Sequence, residues 1–185
     1  SDIAPYPWQA DDRLEDKITW SIVPKPKYKS ALRVIHLLCD IVSKNGNLLL
    51  NVGPNADGTF PEQAVEILYE VGDWLAINGE AIYSTRPFTT YGEGPTVVES
   101  ESYDVERIEA QTEEGRASDT SQHLFTYEDV RFTTKGDTLY AICFGRPPSG
   151  KQLIKTLSTA GAKKVENVSL VGGDALSFTQ TEQGL

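Results

Sequence analysis

The feature that most constrains this chain is an apolar run that stops abruptly in turn residues. Residues 47–59 read NLLLNVGPNADGT. The three consecutive leucines show no alternation with polar residues, which predicts a strand covered on both faces, as in a central parallel strand. A buried helix could contain the same leucines, but the shortness of the run and its Gly-Pro stop favour a strand over residues 47–52. In α/β proteins the functional residues follow the carboxyl ends of such strands.

Helical patterns flank this strand on both sides. Residues 30–43 carry an apolar stripe, with Ser30 as the expected N-cap and Asn45-Gly46 as the stop. Residues 61–78 carry a second stripe and have Pro61 at the first helical position. The residues of that second stripe are Val65, Leu68, Val71 and Leu75, flanked by Ile67 and Trp74. The order helix, strand, helix is about one and a half units of an α/β fold, which cannot close a sheet without further strands.

The character of the sequence changes after Pro87. Residues 130–134 and 138–144 alternate apolar and polar side chains, and Gly136 between them suits the turn of a β-hairpin. Further strands are expected at 151–157, 163–171 and 175–180, whereas the acidic stretch 99–122 reads as an exposed loop. Residues 87–185 are therefore predicted to form an antiparallel β-sandwich, so the fold class is α/β plus all-β.

Composition excludes some classes of partner. The net charge is −10, and no basic run is present that could neutralise nucleic-acid phosphates or an anionic membrane surface. No stretch approaches the roughly 20 apolar residues of a membrane span. Cys39 and Cys143 are too few for a disulfide framework or a zinc site and are expected to be small buried hydrophobes. A lone histidine beside an apolar stripe, His36, is expected to be structural.

Two tryptophans are candidate ligand contacts. Residues 1–29 contain four prolines and are expected to be irregular. Within them, Trp8 and Trp20 have polar neighbours. Both side chains could simply pack under a loop. Alternatively, both could stack against sugars, because an aromatic face suits the C–H face of a pyranose while neighbouring groups supply hydrogen bonds.

Several blocks of this sequence resemble one family. The blocks are VSKNGNLLLNVGP at 42–54, DGT at 57–59, GDWL at 72–75, NGEAIY at 78–83, PWQ at 7–9, RFTTKGD at 131–137 and LYAI at 139–142. Together they resemble the α-L-fucosidases of glycoside hydrolase family 29, from about residue 5 to about residue 145. The resemblance implies that residues 1–86 are the C-terminal end of a (β/α)8 barrel. It implies that residues 87–185 are the β-sandwich domain that follows the barrel.

The resemblance also implies an activity, namely the retaining exo-hydrolysis of terminal L-fucose from glycans, without a metal or organic cofactor. Retention requires two carboxyl groups about 5–5.5 Å apart. In the family the aspartate nucleophile and the glutamate acid/base lie upstream of the matched segment, so no catalytic residue is carried over to this chain. Should the chain alone be active, its acidic residues 11, 12, 15 and 16 are the first candidates for mutation. The resemblance favours a periplasmic or secreted enzyme, although the two cysteines do not decide the compartment.

Trp20 matches an aromatic that packs against the fucose ring in the family, with a different loop length before it. Trp8 precedes a position that is often glutamate in the family and is Gln9 here. The turn at 51–55 would lie at the catalytic end of the barrel, either as part of the pocket or as a structural corner. The expected partners are a fucosylated glycan and, at the incomplete sheet around 47–52, a second copy or an upstream barrel chain. A non-catalytic binding module and one chain of a split fucosidase remain the alternatives.

Overall fold

The computed structural model of the chain describes residues 3–15, 20, 26–96 and 125–185. The predicted loop at 99–122 therefore lies outside the described residues. The helices and strands in chain order are β1 (Trp8–Arg13), α1 (Ala31–Ser43), β2 (Gly46–Asn51), α2 (Glu62–Asn78), β3 (Arg86–Glu93), β4 (Val130–Lys135) and β5 (Thr138–Cys143). Short 3-10 turns follow α2 at Gly79–Ala81 and occur later at Lys155–Leu157.

Helix α1 is confirmed in its position and its cap. The Ser30 hydroxyl accepts a hydrogen bond from the Arg33 backbone N–H at 3.3 Å, as expected of an N-cap. The helix ends at Ser43, and Asn45 shortly after it has a φ of 73°, the left-handed conformation that stops a helix. The predicted stripe faces the core, where its buried members are Ala31, Val34, Ile35 and Ile41.

A parallel pair of strands packs beside α1. Strand β1 pairs with β2 in register from Trp8 opposite Gly46 to Arg13 opposite Asn51. The prediction that residues 1–29 are irregular was wrong for β1. Its sequence WQADDR has no strand pattern of its own, and the hydrogen bonds that define the strand come from β2, far away in sequence.

One face of this parallel pair is open. Side chains alternate along both strands, and the face that carries Leu49 and its neighbours is largely exposed, with Leu49 itself 54% exposed. We call this surface the open face; it consists of Gln9, Asp11, Arg13, Asn47, Leu49 and Asn51. The prediction that both faces of β2 are covered was therefore wrong for this chain. Within the described residues, β1 and β2 have no strand neighbour except each other.

Helix α2 packs on α1 through a face that agrees only in part with the predicted stripe, since Val71 is buried as predicted and Leu75 is partly buried against the core. Its buried residues are Ala64, Ile67 and Val71, whereas Leu68 is exposed. Ala64 is fully buried in the same core cluster as Val34 and Ile35 of α1, so the buried face of α2 is centred nearer this small residue than Leu68. Pro61 is the N-cap residue and not the first helical residue.

Strands β3, β4 and β5 form one antiparallel sheet in that order. The predicted hairpin is confirmed as β4 and β5, and Gly136 in its turn has a positive φ of 58°. Strand β3 was not predicted. The strands expected at 151–157, 163–171 and 175–180 are absent from the described residues; an isolated bridge joins Ser169 to Ala175 instead. Alternating side chains are insufficient there, because no neighbouring strand supplies a continuous hydrogen-bond ladder.

The C-terminal segment is held to the sheet by one carboxylate. Glu93, the last residue of β3, accepts hydrogen bonds from the backbone N–H groups of Lys155 at 2.7 Å and Thr156 at 2.6 Å. The Thr156 hydroxyl donates to the same carboxylate. This contact fixes the 3-10 turn of residues Lys155–Leu157 against the end of β3.

A buried charged cluster joins α1 to the antiparallel sheet. The Asp40 carboxylate binds Lys44 Nζ, at the C-cap of α1, at 2.6 Å and Arg131 Nε, on β4, at 2.6 Å. The ring of Tyr91 lies within 5.3 Å of both cationic groups. The two parts of the chain thus share a packed interface, and the division into domains at 86/87 stays a prediction.

The two cysteines differ in their environment. Cys39 is buried, as predicted, and burial together with the nearby Asp40 charge raises the pKa of its thiol to about 12. Cys143 is exposed, so its predicted burial was wrong. In the described part of the chain, no helix has the length and apolar character needed to cross a membrane.

Candidate functional site

The carboxyl ends of β1 and β2 form the candidate site. Because the strands are parallel, Arg13 and Asn51 end them at the same edge of the sheet. We call this end, with Asp12, Arg13, Glu15, Asn51 and Gly53, the carboxyl edge. In parallel α/β architectures, ligands bind at this end of the strands because the variable loops follow it.

Trp20 lies at the carboxyl edge. Its side chain is 52% exposed, and the Arg13 guanidinium carbon lies 5.6 Å from its ring, within the range of a cation–π contact. An exposed aromatic face beside a guanidinium can combine stacking on a sugar ring with hydrogen bonds to its hydroxyls.

Trp8 lies at the other end of β1. Its indole N–H donates to the Lys44 carbonyl at 2.9 Å, and its ring covers Gly46 so closely that a Cβ there would come within 2.6 Å of a ring carbon. The structure therefore does not bring the two predicted tryptophans together. The contacts of Trp8 favour packing over ligand stacking, because its polar atom is already satisfied.

Sequence reasoning did not distinguish Glu15 from the other acidic residues near it. The Glu15 side chain is almost fully buried, at 1% exposure, and Oε1 accepts a hydrogen bond from the Gly53 backbone N–H at 3.2 Å. Its second oxygen, Oε2, is buried without a hydrogen-bond partner, as are the Tyr28 hydroxyl and Asn51 Oδ1. No local signal could have identified Glu15, because its partner lies 38 positions away.

A buried lysine stabilises the same end of β1. Lys29 Nζ donates to Asp12 Oδ1 at 3.0 Å and to the Arg13 carbonyl at 2.5 Å. Burial lowers the pKa of the Lys29 ammonium, and the nearby Asp12 carboxylate opposes that shift. The Asp12 carboxylate also accepts from the Arg13 backbone N–H. Asp12 is thus held in position by Lys29 and by the strand itself.

The turn after β2 is self-contained. The Asn55 N–H donates to the Thr59 carbonyl at 2.7 Å, and both the hydroxyl and the N–H of Thr59 donate to Asp57. These hydrogen bonds, the hydroxyl bond first, lower the pKa of the Asp57 carboxyl. Such bonding is typical of a structural corner, one of the two roles considered for this turn.

This arrangement can bind and orient a polar ligand. The described carboxylates at the carboxyl edge already have partners, since Asp12 binds Lys29 and Glu15 binds Gly53. Across the described ranges, no group of three or more histidine, cysteine, aspartate or glutamate side chains could hold a metal ion.

Comparison with known proteins gives a consistent result. The family model described as alpha-L-fucosidase matches residues 1–80. The chain is 33% identical to the tissue alpha-L-fucosidase of Mus musculus over 147 residues, which are 80% of this chain and 25% of the mouse protein. It is 46% identical to an alpha-L-fucosidase of Dictyostelium discoideum over 61 residues, which are 33% of this chain and 13% of that protein.

A solved structure shows the same similarity. The alpha-fucosidase of Thermotoga maritima in complex with fucose superposes with a TM-score of 0.71 and 26% identity, over 98% of this chain and 35% of that protein. The chain spans about a quarter of the length of the mouse and human tissue enzymes that it matches. The similarity therefore concerns one part of longer proteins.

Proposed function

Because this chain belongs to the alpha-L-fucosidase family, we propose that it supplies the last βα units and the following β domain of an enzyme that removes terminal L-fucose from glycans. The observation that carries this proposal is the parallel pair β1 and β2, with Trp20 exposed at its carboxyl edge, inside the stretch that matches the family. A glycan is the substrate, and hydrolysis retains the anomeric configuration.

In this proposal residues 1–86 complete a (β/α)8 barrel and residues 87–185 form a β-sandwich domain. The open face would then point into the barrel, where strand side chains meet. The nucleophile and the acid/base, about 5–5.5 Å apart in a retaining enzyme, would come from other strands of the barrel. The assignment of the catalytic groups to other strands is supported by the contacts of Asp12 and Glu15 at the carboxyl edge, which already bind Lys29 and the Gly53 N–H.

The two tryptophans receive different roles in the proposal. Trp20 contacts the C–H face of fucose, with Arg13 beside it to bind a hydroxyl. Trp8 serves the sugar site indirectly, by packing on Gly46 and fixing the start of β1.

A second candidate function is a non-catalytic partner chain in a split fucosidase. The observation that favours it is the open face with its exposed Leu49. Among the residues described here, the outer edges of β1 and β2 are also unpaired, and another part of a sheet could pair with them. Co-purification of a larger polypeptide that restores fucosidase activity is the result expected for this candidate.

The first experiment is release of 4-nitrophenol from 4-nitrophenyl α-L-fucoside by the purified chain. No turnover is expected, because catalysis is assigned to other barrel strands. Turnover that persists through repurification contradicts that assignment, and Asp11→Asn, Asp12→Asn and Glu15→Gln then identify the carboxylates responsible.

Sugar binding is tested separately by saturation-transfer NMR with L-fucose, using D-fucose as the control of opposite configuration. Transfer to L-fucose that Trp20→Ala abolishes and Trp8→Phe preserves is the expected pattern. Equal transfer to both enantiomers, or transfer unaffected by Trp20→Ala, contradicts the role given to Trp20.

A further inference from the structure

We propose that Glu15 is a positioning residue for Trp20. Trp20 lies between Glu15 and Tyr28, and these two residues form the base of that segment. Glu15 attaches this base to the backbone that follows β2, and in this way fixes the location of Trp20. The inference rests on the proposed function, in which Trp20 contacts the sugar. Glu15 itself is not assigned any contact with substrate.

The first support is the location of Glu15 at the base of that segment. Glu15 and Tyr28 form an isolated antiparallel bridge, and the Lys29 N–H donates to the Leu14 carbonyl at 2.9 Å. These contacts bring together the two ends of the stretch between positions 15 and 28, which includes Trp20. The base of the stretch is therefore a defined structure to which a third element can be attached.

The third element is the start of the β2–α2 loop. The Leu14 N–H donates to the Asn51 carbonyl at 2.9 Å, which continues the ladder one residue beyond β1. The Glu15 side chain then reaches across to the Gly53 N–H at 3.2 Å. Glu15 is thus the side chain that ties the base of the Trp20 segment to the loop after the neighbouring strand.

The second support is the chemical cost of this arrangement. A buried carboxylate is unfavourable unless it is hydrogen-bonded, and one oxygen of Glu15 has no partner. An apolar side chain would fill the same space without that cost. A carboxylate at this site is therefore explained by its reach to a specific N–H group and not by packing alone.

The surroundings of Tyr28 agree with this arrangement. Its hydroxyl is buried without a partner, and the pKa of that hydroxyl is raised by burial and then by the charge of Glu15. Arg13, two residues before Glu15, contacts the Trp20 ring. A shift of Glu15 would therefore move the strand end on which the Trp20 ring rests.

The test uses the whole chain labelled with 5-fluorotryptophan, which gives one fluorine resonance for each of its three tryptophans. Trp8 at the far end of β1 and Trp74 on α2 serve as internal references. Glu15→Asp keeps the charge but is one methylene too short to reach Gly53, whereas Glu15→Gln keeps an oxygen at full reach. We expect a shift and narrowing of the Trp20 resonance in Glu15→Asp and Glu15→Ala, and a native spectrum in Glu15→Gln.

Glu66→Ala, which removes an exposed carboxylate from α2, is the matched control and should leave all three resonances unchanged. The proposal is overturned if, in Glu15→Asp, the Trp20 resonance does not shift more than the Trp8 and Trp74 resonances. This outcome is decisive whether or not Glu15→Ala folds. A Glu15→Gln variant that shifts as far as Glu15→Asp assigns the effect to charge and also overturns it.

Addition of L-fucose to the same samples separates this inference from the proposed function. A Trp20 resonance that depends on Glu15 but does not respond to L-fucose supports the positioning and contradicts the sugar contact. A resonance that responds to L-fucose equally in the parent chain and in Glu15→Asp contradicts the positioning and supports the contact.

Discussion

Trp8 and Trp20 have the same side chain and opposite surroundings. Trp8 donates to a backbone carbonyl and packs on Gly46, whereas Trp20 is half exposed at the carboxyl edge. We expect Trp8→Phe to lower the free energy of unfolding by about 1 kcal/mol, because it removes one hydrogen bond and part of the ring contact. Trp20→Phe should change it by less than about 0.5 kcal/mol. Urea titration of both variants measures the difference, and equal losses would contradict these assignments.

His36 has a structural environment that predicts a pH effect. Its ring stacks on Phe144 at 4.5 Å, and burial lowers the pKa of the imidazole, with Arg131 adding to that shift and Asp129 opposing it. The folded chain therefore prefers neutral histidine. The stability from this preference is complete above the ordinary pKa near 6.5 and is lost as the pH falls from there toward the folded-state pKa.

The variant His36→Gln isolates this contribution because glutamine does not titrate. We expect the parent chain to lose more stability than His36→Gln when the pH is lowered from about 7 to about 5, since only the parent binds a proton on unfolding. Chemical denaturation at several pH values gives both curves. Parallel curves would show that His36 does not contribute to the pH dependence.

Two glycines show how the same substitution acts differently in a turn and in a helix. An added Cβ meets no atom within 4 Å at either Gly72 on α2 or Gly136 in the hairpin turn, so only the backbone conformation matters. Gly136→Ala should cost about 1 kcal/mol because the φ of Gly136 is positive. Gly72→Ala should stabilise by about 1 kcal/mol because alanine favours a helix. Thermal unfolding should therefore give a lower midpoint temperature for Gly136→Ala and a higher one for Gly72→Ala. Shifts of both midpoints in the same direction would contradict this prediction.

Breaking the buried ion pair between α1 and β4 should strongly lower the free energy of unfolding. Asp40→Asn leaves the Lys44 and Arg131 cations facing each other with no carboxylate, and we expect a loss of about 3–5 kcal/mol. Asp137→Asn at the exposed hairpin turn is the control and should stay within about 0.5 kcal/mol. If denaturant titration gives similar values for the two variants, the cluster does not hold α1 to the sheet.

Sequence patterns predicted the elements whose signals are local. The Ser30 cap, the α1 stripe and the Gly136 turn are each determined within a few residues, and the structure confirms them. Strand β1 escaped prediction because its hydrogen bonds come from β2. The buried face of α2 was predicted in part: Val71 is buried, but the predicted stripe included Leu68, which is exposed, and omitted Ala64, which is buried.

The same distinction applies to the candidate site. The position of the carboxyl edge followed from the apolar run and its Gly-Pro stop, and Trp20 does lie there. Glu15 could not be found, because its hydrogen bond depends on how two distant segments meet. The different roles of Trp8 and Trp20 also required the structure, since both tryptophans have polar neighbours in the sequence.

The chain as a whole presents its open face to solvent. Leu49 is exposed there beside two unpaired strand edges of the described sheet, and we expect self-association unless another part of a barrel covers this face. Sedimentation equilibrium should give a mass above the monomer value of 20.4 kDa that rises with concentration.

Leu49→Lys should reduce this association, because it places a charge on the open face. Leu153→Lys, which alters an exposed leucine in the C-terminal segment, is the matched control and should not reduce it. If the chain is a monomer at all concentrations, or if both substitutions reduce association equally, the prediction that the chain associates through the open face is wrong.

The dependence of β1 on β2 also determines an order of folding. Each residue of β1 pairs with a residue 38 positions later, so the strand forms only after the intervening chain, including α1, has been closed into a loop. During synthesis, which proceeds from the N-terminus, the β1 segment leaves the ribosome well before its partner exists. Such long-range parallel pairing raises contact order and slows folding. The β1 segment therefore stays without its native strand partner until the chain has been synthesised through residue 51.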